Sequence, residues 1–174
     1  MVMDAFPSQF DFSVSHTSRE ARPDEVDGVD YHFHSKEAMR EGVAEGRFLE
    51  HAMVHGNMYA TSEEAVTYVQ KQDMVCVLDI DVQGVQQMKK RGDKVNPVYV
   101  AVLPPSLEEA ELRLRERHTE SEEEIGLRMS NAQNEIDYLT ADGSVHHVVV
   151  NGDMDVAFTQ LRSIILKLFP SLSA

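Results

Sequence analysis

The stretch MVCVLDID (Met74–Asp81), followed by VQGVQQMKKR (Val82–Arg91), decides how the chain is read. The first part is an almost continuous apolar run, the signature of a strand buried on both faces of a parallel sheet. The second has the spacing of a helix. The same alternation continues downstream. PVYVAVL (Pro97–Leu103) reads as a second buried strand, and Ser106 caps the helix LEEAELRLRERH. A further helix runs from Ser121 to Leu139 and begins among acids, which suit a helix N-terminus. VHHVVVN (Val145–Asn151) is another buried strand, and an amphipathic helix at Val156–Phe169 closes the chain. Strand–helix alternation of this kind predicts an α/β protein with a parallel sheet.

Working upstream, Ser62 caps the helix EEAVTYVQK, and RFLEHAMVHGNMYAT forms two strands joined by a turn at Gly56-Asn57. Ser35 caps KEAMREGVAEG, and Tyr31–His34 is a short strand. HTSREARPDEVDGVD is a loop, since Pro23, Gly28 and a crowd of acids break any period. FDFSVS (Phe10–Ser15) alternates as a strand does. Met1–Phe6 reads as the tail of a helix.

The composition narrows the function. Sixteen Lys and Arg against thirty Asp and Glu leave a net charge of −14 over 174 residues. Gripping a nucleic-acid backbone requires clustered basic residues, so that class is excluded, whereas a small anion held by a few arginines is not. No apolar run approaches the ~20 residues of a bilayer span, and MVMDAFPSQF lacks the features of a signal peptide. With Cys76 as its single cysteine, the chain is expected in the reducing cytoplasm.

Ligands of parallel α/β sheets gather beyond the carboxyl ends of the strands. There lie Ser15, Arg19 and Arg22 after one strand, and Asp79 and Asp81 after another. Two readings of the arginines stand open: planar forks for a phosphate, or counter-charges to Asp24, Glu25 and Asp27. Asp79 and Asp81, read as strand residues, share a face, and two readings stand open: burial there against a cation or donor, or both carboxylates reaching solvent at the strand tip. Arg117 and Arg128 flank the acidic turn HTESEEE, which is either a mobile lid or a solvated helix face. His146 and His147 are adjacent in a strand and so read as structural. His32 and His34 share a face without a cysteine to complete a zinc set, and Cys76 reads as core.

Taken together, FSVSHTSREARPDEVDGVDYHF, FLEHAMVHGNMYAT, VLDIDVQG and RERHTESEEEIGLRM followed by VVVN resemble guanylate kinase, in order and spacing. The resemblance implies a P-loop NTPase-like parallel-sheet core with an inserted GMP-binding lobe and a helical lid. The core would be 1–28 and 62–174, the lid about 113–130 and the lobe 29–61. It implies phosphorylation of GMP to GDP with ATP as donor and Mg²⁺ as cofactor. Ser15, Arg19, Arg22, Tyr31 and Tyr59 match family residues around the GMP phosphate, and Glu50, Thr61 and Asp81 those near the guanine. Asp79 matches a carboxylate acting on Mg²⁺ indirectly. Arg117 and Arg128 match lid arginines near the transferring phosphoryl, and Asn151 a residue near adenine. Partners would be GMP or dGMP and ATP, with no nucleic acid or membrane, acting on a monomer.

The family's glycine-rich GxxxxGK[ST] loop, which holds ATP phosphates on backbone amides and a lysine, does not occur between Met1 and Ala174. The first strand of the family sheet is expected to be missing with it. The expectation is therefore a guanylate kinase truncated or impaired as written. The alternative is a non-catalytic guanylate-kinase-like module that binds GMP or a phosphorylated peptide.

Overall fold

The computed structural model describes residues 1–54, 56–92, 95–116 and 121–172. They divide into two units, Val2–Val95 and Asn96–Ala174, the second including Met1. The first unit runs α1 (Val2–Ala5), β1 (Phe10–Phe12), β2 (His16–Thr17), β3 (His32–Phe33), α2 (Lys36–Ala44), β4 (Phe48–Val54), β5 (Asn57–Ser62), α3 (Glu63–Gln70), β6 (Val75–Val77) and α4 (Val82–Lys90). Here β1 and β6 form a parallel pair, Phe10 opposite Val75 and Phe12 opposite Val77. A separate four-stranded sheet has the order β3-β2-β5-β4.

Helix starts follow local chemistry. Ser35 Oγ accepts from the Ala38 amide at 3.1 Å, and Ser62 Oγ from the Ala65 amide at 3.1 Å. Both caps were expected, because a hydroxyl before an amphipathic run satisfies an amide the helix leaves open. Three strand readings need correction. FDFSVS is a strand only to Phe12. Ser13 still donates to the Val77 carbonyl at 3.0 Å, but His16 then pairs with Ala60 and His32 in the other sheet. A chain that changes partner must leave its first ladder. MVCVLDID is a strand only from Val75 to Val77, so Asp79 and Asp81 are not strand residues sharing a face. Asp79 is exposed, and Asp81 caps α4, its Oδ1 accepting from the Gly84 amide at 2.9 Å. The helix end supplies the donors that a buried carboxylate would otherwise lack.

The second unit runs β7 (Val100–Leu103), α5 (Leu107–Glu116), α6 (Glu122–Thr140), β8 (His147–Val150) and α7 (Met154–Leu168). β7 and β8 are parallel, Val100 opposite His147 and Leu103 opposite Val150. Burial on both faces is the third correction. Ala101, Leu103 and Val149 are buried, whereas Val102, Val148 and Val150 are 56%, 44% and 46% exposed. That is the period-2 alternation of a pair covered on one face, where α7 packs on β8. α7 begins two residues before its expected start, because Asp153 accepts from the Val156 amide at 2.9 Å. His146 is structural as read: its Nδ1 accepts from the Tyr99 amide at 2.9 Å.

Candidate functional site

The face of the four-stranded sheet that gathers the expected residues is set by an irregularity in β4. Phe48 lies opposite Ser62, yet Glu50 lies opposite Thr61, a register shift of one residue between them. Such a bulge places one extra residue in a strand and re-aims the side chains beyond it. Phe48 therefore joins Met39 and Ala60 in a buried cluster on one side. Glu50 joins Thr61 on the other, with Ala52 opposite Tyr59 two residues along. Thr17 also lies opposite Tyr59, and Phe33 opposite Thr17. Glu50, Thr61, Tyr59 and Phe33 thus share a face.

At one end of that face sits a guanidinium among rings. The Arg19 carbon stands 5.4 Å from the Tyr31 ring centre and 5.9 Å from that of Phe33. Tyr31 and Tyr59 meet edge to face at 6.0 Å, and the Tyr59 hydroxyl hydrogen-bonds Arg19. Glu25 fills the fork: Arg19 Nη1 donates to Oε2 at 2.9 Å and Nη2 to Oε1 at 2.8 Å. The Arg22 amide donates to Glu25 Oε2 at 2.7 Å. Held mainly by Arg19, the Glu25 carboxyl drops to a pKa of about 2. The counter-charge reading therefore holds for Arg19 and Glu25, and it does not empty the cluster of donors. Burial first, then neighbouring Tyr59, raises the Tyr31 phenol above its ordinary pKa, so it remains a neutral hydroxyl that can donate. Asp79 and Glu25 push the same phenol upward more weakly, so Asp79 acts at this end. Ser15 borders it, its carbonyl accepting from the His32 amide at 2.8 Å.

At the other end sits a buried carboxylate. Glu50 is 4% exposed and Thr61 1%. Burial is the main cause raising the Glu50 pKa, with Asp81 adding repulsion, while the Thr61 hydroxyl and amide donate to the carboxylate and oppose the rise. The two ends are about two strand residues apart, ~7 Å. A ligand with a donor-bearing edge and an anionic end fits such a face, since the carboxylate accepts paired N–H groups and the arginine and phenols donate to an anion.

The structure brings together Ser15, Arg19, Tyr31 and Tyr59 at the first end and Glu50, Thr61 and Asp81 at the second, with Arg22 exposed beside Glu25. Arg128 on α6 is half-buried and Asn151 follows β8, both in the second unit. The Asn151 amide donates to the Leu103 carbonyl at 2.7 Å, and its carbonyl accepts from Arg113 Nη1 at 2.8 Å. Arg117 and part of the expected lid at 113–130 lie outside the described residues. Among the described residues, no group of three or more His, Cys, Asp or Glu could hold a metal ion, and no helix is long and apolar enough to cross a membrane. Sequence reasoning passed over the β4 bulge, which has no local signal. It also passed over Asp81 as a cap, although Asp immediately before a run with helical spacing is a readable start to a helix.

The family described as guanylate kinase matches residues 1–168 of the chain. Guanylate kinase 1 of Oryza sativa subsp. japonica is 44% identical over 164 residues, 94% of this chain and 42% of the rice protein. Guanylate kinase of Homo sapiens is 43% identical over 153 residues, 88% of this chain and 77% of the human protein. The chain thus spans less than half the length of the rice relative. A solved guanylate kinase from Anaplasma phagocytophilum superposes with a TM-score of 0.71 at 27% identity, covering 96% of this chain and 80% of that one.

Proposed function

Because the chain belongs to the guanylate kinase family, we propose that the protein phosphorylates GMP to GDP with ATP as donor, and that the unit Val2–Val95 supplies its GMP-binding face. The observation that carries this reading is the buried Glu50 carboxylate, turned by the β4 bulge onto the face that holds Arg19, Tyr31 and Tyr59. Guanine offers N1–H and an exocyclic amine side by side, and an ionised carboxylate accepts both. Adenine presents an acceptor at N1, which the same carboxylate repels. Thr61 donates to the carboxylate and holds its direction. At the opposite end, Arg19, Arg22, Tyr31, Tyr59 and Ser15 would take the phosphate of GMP or dGMP through charge and hydroxyl donors.

Phosphoryl transfer rests on positioning and charge neutralisation rather than covalent catalysis. Arg117 and Arg128 would face the transferring phosphoryl, and Asn151 the adenine. Magnesium, when bound, offsets the charge of the nucleotide phosphates. Such an ion keeps several waters and needs only one or two protein carboxylates, so the exposed Asp79 fits an indirect contact through water. In this reading the protein acts on small nucleotides in the cytoplasm as a monomer.

Calorimetric titration with GMP and AMP tests the reading. GMP should bind at least ~100-fold more tightly, as expected where a site built for a donor meets an analogue lacking it. Equal affinities would refute it. A phosphopeptide that displaced GMP would point instead to an interaction module.

A further inference from the structure

Gly84 occupies the third position of α4, where its amide donates to the capping Asp81 Oδ1 at 2.9 Å. Its backbone is helical and buried, so no unusual dihedral calls for glycine, and glycine inside a helix is unfavourable relative to alanine. Space is what calls for it. A Cβ here would lie 2.7 Å from Glu50 Oε2, 3.2 Å from Glu50 Cδ and 3.2 Å from the Ile80 Cβ. By contrast, a Cβ on Gly126, also helical, would meet nothing within 4 Å.

The approach is held by a stripe of side chains on the same helix. Gln83 Nε2 donates to the Met53 carbonyl at 3.4 Å. Gln87 Oε1 accepts from the His51 amide at 3.2 Å, and its Nε2 donates to the His51 carbonyl. Arg91 Nη1 donates to the Phe48 carbonyl. Residues 83, 87 and 91 recur every four positions, one face of a helix, and together they stitch α4 along the outer edge of β4 across the bulge. The Glu50 carboxylate is therefore confined between Thr61 on β5, which donates to it, and the bare Cα of α4.

We propose that Gly84 is a positioning residue for purine selection: its missing side chain lets α4 close on Glu50 and fixes the direction in which the carboxylate faces the base. This rests on the GMP-binding reading above. Position 84 bears on both Glu50 and Asp81, since a side chain there would meet one carboxylate and the Gly84 amide donates to the other.

The test is a thermodynamic cycle. Gly84→Ala should weaken GMP binding by ~10–100-fold, the scale of a displacement near 1 Å in a positioned group, and leave AMP binding unchanged. The GMP-to-AMP ratio then falls by the same factor. In a Glu50→Ala background, where the added methyl has room, Gly84→Ala should change GMP affinity by less than about threefold. A carboxyl titration of Glu50 followed by NMR should also move in Gly84→Ala, with no nucleotide present. A purely structural glycine would give the same loss in both backgrounds and an unmoved titration, and that result overturns the proposal even if the single variant is poorly folded. Full retention of selectivity in Gly84→Ala overturns it too. If the unaltered chain binds GMP and AMP alike, the GMP reading itself fails, and the positioning of purine selection fails with it.

Discussion

Replacing Glu50 by glutamine should move stability and binding in opposite directions. In the folded chain the carboxyl is 4% exposed, and its pKa lies above the ordinary 4.5, chiefly through burial and secondarily through repulsion by Asp81. Between that ordinary value and the raised one, the folded state binds more protons than the unfolded state. The ionised group therefore opposes folding above the raised pKa, and the opposition vanishes below 4.5. Glutamine carries no charge to bury, keeps one acceptor for Thr61, and should leave the melting temperature at pH 7 equal or higher. Binding should suffer. The carboxylate can accept two guanine donors, each charge-assisted bond being worth ~1.5–3 kcal/mol, whereas an amide retains one neutral bond worth ~1 kcal/mol. The net loss is ~2–5 kcal/mol, or ~30–5000-fold in the dissociation constant for GMP. Thermal melts of the unliganded protein and calorimetry with GMP measure both arms. GMP affinity within threefold of the parent, or a melting temperature lower by several degrees, would refute the reasoning.

Two further outcomes are expected from the geometry. Arg19→Ala removes the fork that Glu25 fills and the stacking on Tyr31; GMP should bind ~10–100-fold more weakly, while guanosine, which has no phosphate, should bind unchanged. His16 hydrogen-bonds Ser62 Oγ at 3.0 Å and His34 Nε2 at 2.9 Å, and burial, with His32, His34 and Arg47 near it, lowers its pKa from 6.5 to about 4. The unfolded chain then binds the extra proton between those values, so stability present above pH 6.5 is lost progressively down to about pH 4. The full shift corresponds to ~3 kcal/mol, and the part-exposed ring leaves ~1–2 kcal/mol after solvent screening. Melting curves of the parent and His16→Gln across pH 7 to 4 should converge as the pH falls; parallel curves would contradict the assignment.

Legibility in the sequence tracked the range of the forces involved. Ser35 and Ser62 were readable as caps because the hydroxyl and the amide it serves are three residues apart. Strand existence was readable from apolar runs, but strand length was not. Partner choice ends β1 at Phe12, and a helix cap claims Asp81, four residues beyond Val77. Exposure of Val102, Val148 and Val150 depends on what covers a face, which no local pattern encodes. For the candidate site, position after a strand pointed to Arg19, whereas Tyr31, Glu50, Tyr59 and Thr61 entered only through the resemblance to guanylate kinase. The sequence alone could not show that a one-residue shift after Phe48 brings Glu50 opposite Thr61, nor which of Asp24, Glu25 and Asp27 would take the fork of Arg19. The need for glycine at position 84 depends on the position of a side chain from another element, which the helical spacing of VQGVQQMKKR does not encode.

The most direct measurement is a crystal structure of the chain soaked or grown with GMP. The account predicts guanine N1 and its exocyclic amine within ~3.2 Å of the Glu50 carboxylate, with the phosphate against Arg19, Tyr31 and Tyr59. Density for GMP on any other surface, or a guanine edge turned away from Glu50 and Thr61, would contradict it.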